Sequence, residues 1–220
     1  MNSKKDYDKW MLSNNISSLK QNRYRNNLST SIVDYKFDGV VVDVFTKLLQ
    51  DRIIFLNGEI YDEMSDIIKA QLLYLEQLDK TKDIKIYINS GGGSVYDGLG
   101  LIDTLEYVAN DIMTVNTGIA ASMAAVILCC GTKGKRKALK LSRTMIHQPM
   151  GGYGGFSQAS DIEIDAKEIN NLKKELYEII SDKTGQPYDI VTKNGDRDYW
   201  MSAPDAKKYG MIDEILTKRK

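Results

Sequence analysis

The sequence predicts an α/β fold, and three observations lead there. Between Ile53 and Val108, apolar residues at helical spacing alternate with short aliphatic runs of strand character, in the order β, α, β, α. Twice a strand pattern passes into a helix pattern through small residues, at Asn89-Ser90-Gly91-Gly92-Gly93-Ser94 and at Gly118-Ile119-Ala120-Ala121-Ser122. The 220 residues suffice for one domain with a true core, carrying an appendage.

That appendage is residues 1–40. They hold six asparagines, many serines and few clustered apolar residues, with seven basic against four acidic side chains. The composition reads as an arm, either a plain tail or a segment ordered by a partner. The domain is expected over 41–220. Val44, Phe45, Leu48 and Leu49 make a helical stripe capped by Asp43, and Ile53 to Leu56 form a buried strand ended by the turn dipeptide Asn57-Gly58. Met64, Ile67, Ile68, Leu72 and Leu75 mark a helix over 63–78. Ile84, Ile86 and Ile88 alternate as a strand, and Val95, Leu99, Ile102, Leu105 and Val108 give the next helix. The apolar run Ile112 to Val115 leads to a sharp turn at Ser122 and a helix through Val126, Ile127 and Leu128. Leu139 and Leu141 alternate with polar residues, and Thr144-Met145-Ile146 is a strand ending at His147-Gln148-Pro149. Gly151 to Gly155 form a flexible or edge-pairing stretch. A long amphipathic helix follows from about Asp161, with Ile162, Ala166, Ile169, Leu172, Leu176 and Ile179 on one face, and stops near Gly185 and Pro187. It reads either as a core helix or as an arm that packs on a neighbouring subunit. Ser202-Ala203-Pro204-Asp205 has the form of a helix start, Tyr209-Gly210 of its end, and Met211 to Leu216 of a last strand.

Composition narrows the function classes. Lys plus Arg equals Asp plus Glu at 30 each, so no global charge draws the chain to nucleic acid or to an acidic membrane. The longest small or apolar stretch, Gly118 to Gly131, is shorter than the roughly 20 residues that span a bilayer. The N-terminus has no apolar h-region, so a cytoplasmic address is expected. Cys129 and Cys130 are adjacent in an apolar segment, where a bridge between them would be strained, and are expected as buried thiols. With a single histidine and no separated cysteine pair, the zinc spacings are absent; metal catalysis through carboxylates stays open, but nothing in the sequence asks for it, and no metal or cofactor is expected.

Ser122 stands among alanines at the strand-to-helix turn. One reading makes it the cap of a buried helix; the other makes it a presented hydroxyl, with the Met123 amide and the positive end of the helix dipole beside it. The glycine loop at 91–93 has three uses: a tight turn, a phosphate cradle, or a bare backbone brought up to a substrate. The phosphate reading lacks the Lys and Ser/Thr of a P-loop. In the third, the loop supplies a second amide donor. His147, the only histidine, is either a packing residue or the proton carrier near neutral pH. Asp196 and Asp198 are either surface charges or, for one of them, the carboxylate that orients the histidine.

Taken together, Ile88-Asn89-Ser90-Gly-Gly-Gly, Gly118-Ile-Ala-Ala-Ser-Met, Met145-Ile-His-Gln-Pro-Met-Gly-Gly, Ser160-Asp-Ile-Glu-Ile and Asp196-Arg-Asp-Tyr-Trp-Met-Ser-Ala-Pro-Asp-Ala resemble the Clp protease proteolytic subunits, the ClpP family, from about Asp43 to Leu216. The resemblance implies a crotonase-like spiral of ββα units with a long protruding handle helix. It implies a serine endopeptidase with Ser122 as nucleophile, His147 as base and then acid, and Asp198 as orienting carboxylate, since the family aspartate directly follows the arginine matched by Arg197. The oxyanion hole would be the amides of Gly93 and Met123. It further implies two stacked seven-membered rings, a tetradecamer joined partly through Asp196 and Arg197. A separate hexameric ATPase unfoldase, which alone uses ATP, would dock at a pocket including Tyr87 and Tyr107. Unfolded polypeptides would be the substrates.

Departures from the family pattern carry their own expectations. Gly91 replaces the usual proline of Asn-Ser-Pro-Gly-Gly, which loosens the loop bearing the Gly93 amide. Lys85 stands where an apolar docking residue is usual. The stretch between Gly152 and Asp161 is about two residues longer than typical, which preserves the alternation of faces. Ser31-Ile32-Val33-Asp34 matches the axial segment loosely, and part of the arm is expected to be a removable propeptide. These changes motivate an alternative, a low-activity ClpP paralogue serving as structural or regulatory ring partner. A thioester-directed crotonase-like enzyme is a third reading, which leaves the three triad positions unexplained.

Overall fold

A computed structural model of the chain describes residues 34–37, 40–151 and 158–218, with side chains from Asp43 onward. The expectations for residues 1–33, propeptide and axial segment included, and those for the glycine-rich stretch and its extra length within 152–157, lie outside the described residues.

The chain divides into two compact units between Asp51 and Arg52, whereas the shift in composition falls near residue 40. In the first, β1 (Asp34–Phe37) pairs antiparallel with β2 (Val40–Asp43), which runs into α1 (Val44–Gln50). The Asp43 carboxylate caps that helix, accepting from the Thr46 amide at 2.9 Å.

The second unit alternates strand and helix: β3 (Ile53–Ile60), α2 (Asp62–Leu78), β4 (Ile84–Gly93), α3 (Val95–Tyr107), β5 (Ile112–Ala121) and α4 (Met123–Cys129). Then come β6 (Arg136–Leu139), β7 (Arg143–Ile146), α5 (Ala159–Thr184), α6 (Tyr188–Asn194), β8 (Tyr199–Ser202), α7 (Ala203–Tyr209) and β9 (Glu214–Leu216). The strands form one sheet with parallel order β3-β4-β5-β6-β9, and β7 joins β5 in parallel while β8 pairs antiparallel with β7. Alternation decides the faces of β4: Ile84, Ile86 and Ile88 are fully buried, with Lys85 and Tyr87 on the more open face. Against the sheet lie Leu72 and Leu75 of α2, Leu101 of α3, and all of α4, whose residues from Met123 to Cys129 are buried.

One feature of the sheet places the site. Thr114 to Asn116 of β5 pair with β6, whereas Ile119 to Ala121 pair with β7, so the strand serves two neighbours along its length. The buried Asn116 amide fills the fork between them, donating to the Arg143 carbonyl at 2.8 Å and the Thr144 hydroxyl at 3.2 Å. Its oxygen accepts from the Gly118 amide at 3.1 Å, so the polar group is satisfied where two ladders part. The fork frees the far end of β5 to reach β7, and that end carries Ser122.

Several boundaries differ from the expectations. Asn57-Gly58 does not end β3; Gly58, at φ 83°, is a bulge within a strand that runs on to Ile60. β6 stops at Leu139, and Leu141 is 83% exposed in the following turn. Only Glu214 to Leu216 form β9, because the Met211 amide is taken up by the Ala206 carbonyl at the end of α7, at 2.9 Å. The short helix α6 was not expected, and Val191 is its one buried residue. In α5 the described stripe is buried only from Leu172, with Leu176, Tyr177 and Ile180; Ile162 and Ile164 stay exposed. The capping box of Ser202 and Asp205 and the left-handed Gly210 at φ 94° bound α7 as the sequence predicts. Cys129 and Cys130 are unbridged and buried, and the Cys130 thiol is pushed up by its hydrogen bond with Cys129 and by burial. Among the described residues no helix is long and apolar enough to cross a membrane.

Candidate active site

Two strand ladders bring three side chains together. In the β5–β7 ladder Ala121 lies opposite Met145, and the next amide, that of Ser122, donates to the Met145 carbonyl at 2.9 Å. In the antiparallel β7–β8 ladder Ile146 lies opposite Tyr199, so one step beyond the ladder His147 faces Asp198. His147 Nδ1 is 3.0 Å from Asp198 Oδ1, and His147 Nε2 is 2.8 Å from Ser122 Oγ. A carboxylate can only accept, which puts the ring proton on Nδ1 and leaves Nε2 to accept from the serine hydroxyl. The histidine side chain is 12% exposed and the aspartate 60%, so the far end of the relay faces outward while its middle is enclosed.

Ser122 occupies the N-cap position of α4 but makes no capping hydrogen bond with its side chain. The helix-cap reading therefore fails: the hydroxyl is turned to His147 instead. Its backbone sits at φ 56°, ψ −128°, a strained conformation for a residue with a side chain, costing roughly 1–3 kcal/mol. Such strain persists where surrounding packing fixes it. Ala120, Ala121, Ala124 and Ala125, all nearly or fully buried, leave no room for the turn to relax.

The glycine loop crosses this turn. A Cβ on Gly92 would lie 2.6 Å from Ser122 Cβ, 2.8 Å from the Ala121 carbonyl oxygen and 3.1 Å from the Met123 amide nitrogen. A Cβ on Gly93, at φ 152°, would overlap the backbone of Ile60, its partner in the sheet. Both glycines are thus demanded by space as well as by backbone angle, and the loop runs bare past the serine. Met123 opens α4, in the first turn whose N–H groups have no intrahelical partner. Gly91 differs: its Cβ would meet nothing within 4 Å.

Val95, Met123, Val126, Ile146, Pro149, Leu176 and Ile180 line a small recess beside Ser122 and His147. Its apolar wall joins four separate stretches of chain, which is why sequence reasoning did not identify it. Gln148 was missed as well: it follows the histidine, and its Nε2 donates to the Asp196 carbonyl at 2.8 Å. Its adjacency to His147 was the available signal. Asp196 and Arg197 have exposed side chains on the loop before Asp198. Tyr87 is half-buried with its ring centre 5.7 Å from that of Phe55, and Tyr107, the last residue of α3, is 79% exposed. No group of three or more His, Cys, Asp or Glu side chains among the described residues is placed to hold a metal ion.

Comparison with known proteins agrees with the motifs. The family model for Clp protease matches residues 37–219. The chain is 59% identical over 178 residues to the ATP-dependent Clp protease proteolytic subunit of Bacteroides fragilis, covering 81% of this chain and 85% of the relative. It is 56% identical over 191 residues to the protein of that name from Porphyromonas gingivalis, covering 87% and 85%. To the ATP-dependent Clp protease proteolytic subunit 2 of Parasynechococcus marenigrum it is 52% identical over 177 residues, covering 80% and 89%.

Proposed function

The chain belongs to the Clp protease family and is a peptidase of the proteolytic-subunit kind, and from that premise we propose that it hydrolyses peptide bonds by serine catalysis. Ser122 is the nucleophile, His147 the base and then the acid, and Asp198 the group that fixes the imidazole. The observation that carries this is the pair of hydrogen bonds, 2.8 and 3.0 Å, linking the three side chains in line. As Ser122 Oγ attacks the scissile carbonyl, its proton passes to His147 Nε2, and the resulting imidazolium is stabilised by Asp198 through Nδ1–H. The carbonyl oxygen gains charge, which the Met123 and Gly93 amides receive, helped by the positive end of α4. His147 then protonates the departing amine. Water repeats the sequence on the acyl-enzyme and frees Ser122. The apolar recess beside the serine suits an apolar side chain next to the scissile bond.

The relatives are named as the proteolytic subunit of an ATP-dependent protease, which supports a partner that uses ATP. The active form is a double ring of this chain, two stacked rings of seven, joined partly through Asp196 and Arg197. It is fed unfolded polypeptide by a separate hexameric ATPase that docks near Tyr87 and Tyr107 and supplies all ATP chemistry, in the cytoplasm. The exposed first half of α5, with Ile162 and Ile164, is the handle and packs on another copy. The segment before residue 40 is an arm, part of it a propeptide; an intact mass that stays full length in active enzyme would remove that part of the proposal.

Turnover of a fluorogenic peptide by the assembled protein tests the mechanism. Ser122→Ala should lose roughly four orders of magnitude in kcat. Retained turnover in that variant would overturn the assignment.

A further inference from the structure

Asp198 is 60% exposed, so packing around its own side chain does not hold it against His147. Its position is set by the chain before it. That chain is fastened at two successive carbonyls, and both fastenings lead to one turn of α5.

The first is Tyr177, whose hydroxyl donates to the Gly195 carbonyl at 2.6 Å while its ring is buried. Gly195 has φ −80° and ψ 2°, a conformation open to any residue, so backbone freedom does not explain the glycine. Space does: a Cβ there would lie 2.7 Å from the Tyr177 hydroxyl oxygen. The tyrosine and the missing side chain fit one another. Burial pushes the phenol up to about 12, with Asp196 adding to it, so Tyr177 remains a protonated donor across the working pH range.

The second begins one turn earlier on the same helix. Lys173 Nζ donates to Gln148 Oε1 at 2.9 Å, and Gln148 Nε2 donates to the Asp196 carbonyl at 2.8 Å. The Lys173 ammonium also stands 5.8 Å from the centre of the Tyr177 ring, which ties the two fastenings together. Gln148 directly follows His147. One turn of α5 therefore grips the chain next to the histidine and the chain leading to the aspartate.

We propose that Tyr177, together with the Lys173–Gln148 link, is a positioning element that sets the His147–Asp198 distance, so that the seating of α5 governs the reactivity of Ser122. The proposal rests on the serine-triad reading above. It assigns no chemistry to Tyr177, which acts through the placement of Asp198 alone.

The test is a double-mutant cycle read by the rate at which a serine-reactive fluorophosphonate labels the assembled protein, alongside peptide kcat and KM. Tyr177→Phe keeps the ring and removes the hydroxyl. It is expected to lower kcat and the labelling rate roughly tenfold, part of the hundredfold that a misplacement of about 1 Å can bring, with KM within about twofold. In an Asp198→Ala background the same change should alter labelling less than about twofold, because the group it positions is gone. Equal losses in both backgrounds would show a general structural role and overturn the proposal, as would full activity in Tyr177→Phe. Gln148→Ala, at a half-buried site, runs the same cycle and decides the matter if Tyr177→Phe does not assemble. Failure of the triad reading looks different: Asp198→Ala alone would then label at the rate of the unsubstituted chain.

Discussion

Replacing Gly92 by alanine puts one methyl group where the structure has none to spare. The new Cβ would stand 2.6 Å from Ser122 Cβ and 2.8 Å from the Ala121 carbonyl oxygen, at φ 100°. Carbon atoms settle at roughly 3.5 Å or more, so the loop and the serine turn must separate by about 1 Å. Neither side yields easily, since Gly93 is held against Ile60 and the alanines around Ser122 are buried. A misplacement of about 1 Å among reacting groups lowers turnover roughly a hundredfold. The backbone angle adds a separate cost of about 1–2 kcal/mol in stability. Gly134→Ala separates the two effects, because Gly134 has a similar φ of 87° with nothing within 4 Å of its Cβ. Peptide turnover and melting temperature, measured on both assembled variants, give the result. Gly92→Ala should lose both activity and stability, and Gly134→Ala stability alone. Turnover within about threefold of the parent in Gly92→Ala would refute the reasoning that the loop is seated on the nucleophile.

Gly91→Ala should stabilise the protein by about 0.4–1 kcal/mol, since its φ lies outside the left-handed region and a Cβ there is unobstructed. A lower melting temperature would mean that the loop needs the freedom of the glycine. The Asp213 carboxyl is pushed up by burial, but the Arg136 guanidinium more than offsets this and holds it below the usual range, with bonds of 2.9 and 2.5 Å. That contribution is full above the ordinary aspartate value of about 3.9 and is lost as pH falls through the lower folded value. Asp213→Asn leaves Arg136, whose side chain is 5% exposed, without its counter-ion and should cost roughly 3 kcal/mol near pH 7. Urea midpoints from pH 7 down to pH 2.5 should fall less steeply for the variant than for the parent below about pH 4; parallel curves would contradict the assignment.

Much of the architecture was legible because periodicity records burial. Ile84, Ile86 and Ile88 alternate and are fully buried, and Asp43 and Ser202 cap the helices they precede. Boundaries failed where one residue type serves two purposes. Asn57-Gly58 is as good a bulge as a turn, and sequence contains no record of the neighbouring strand that decides. The site divides similarly. Ser122, His147 and Asp198 stand out through motifs, yet their encounter depends on the fork at Asn116 and on the offset of two ladders. The recess and the Tyr177–Gly195 fit were illegible because they join residues far apart in sequence whose types are ordinary for a core. Tyr177 belongs to a helical stripe, and only the space denied at Gly195 gives it a second meaning.

Intact mass after treatment with a fluorophosphonate tests the central claim most directly, on the parent chain, Ser122→Ala and His147→Ala, each checked for assembly. One adduct per chain in the parent, absent from Ser122→Ala and strongly reduced in His147→Ala, is the expected result. An adduct that persists in assembled Ser122→Ala would contradict it, placing the reactive group elsewhere in the chain.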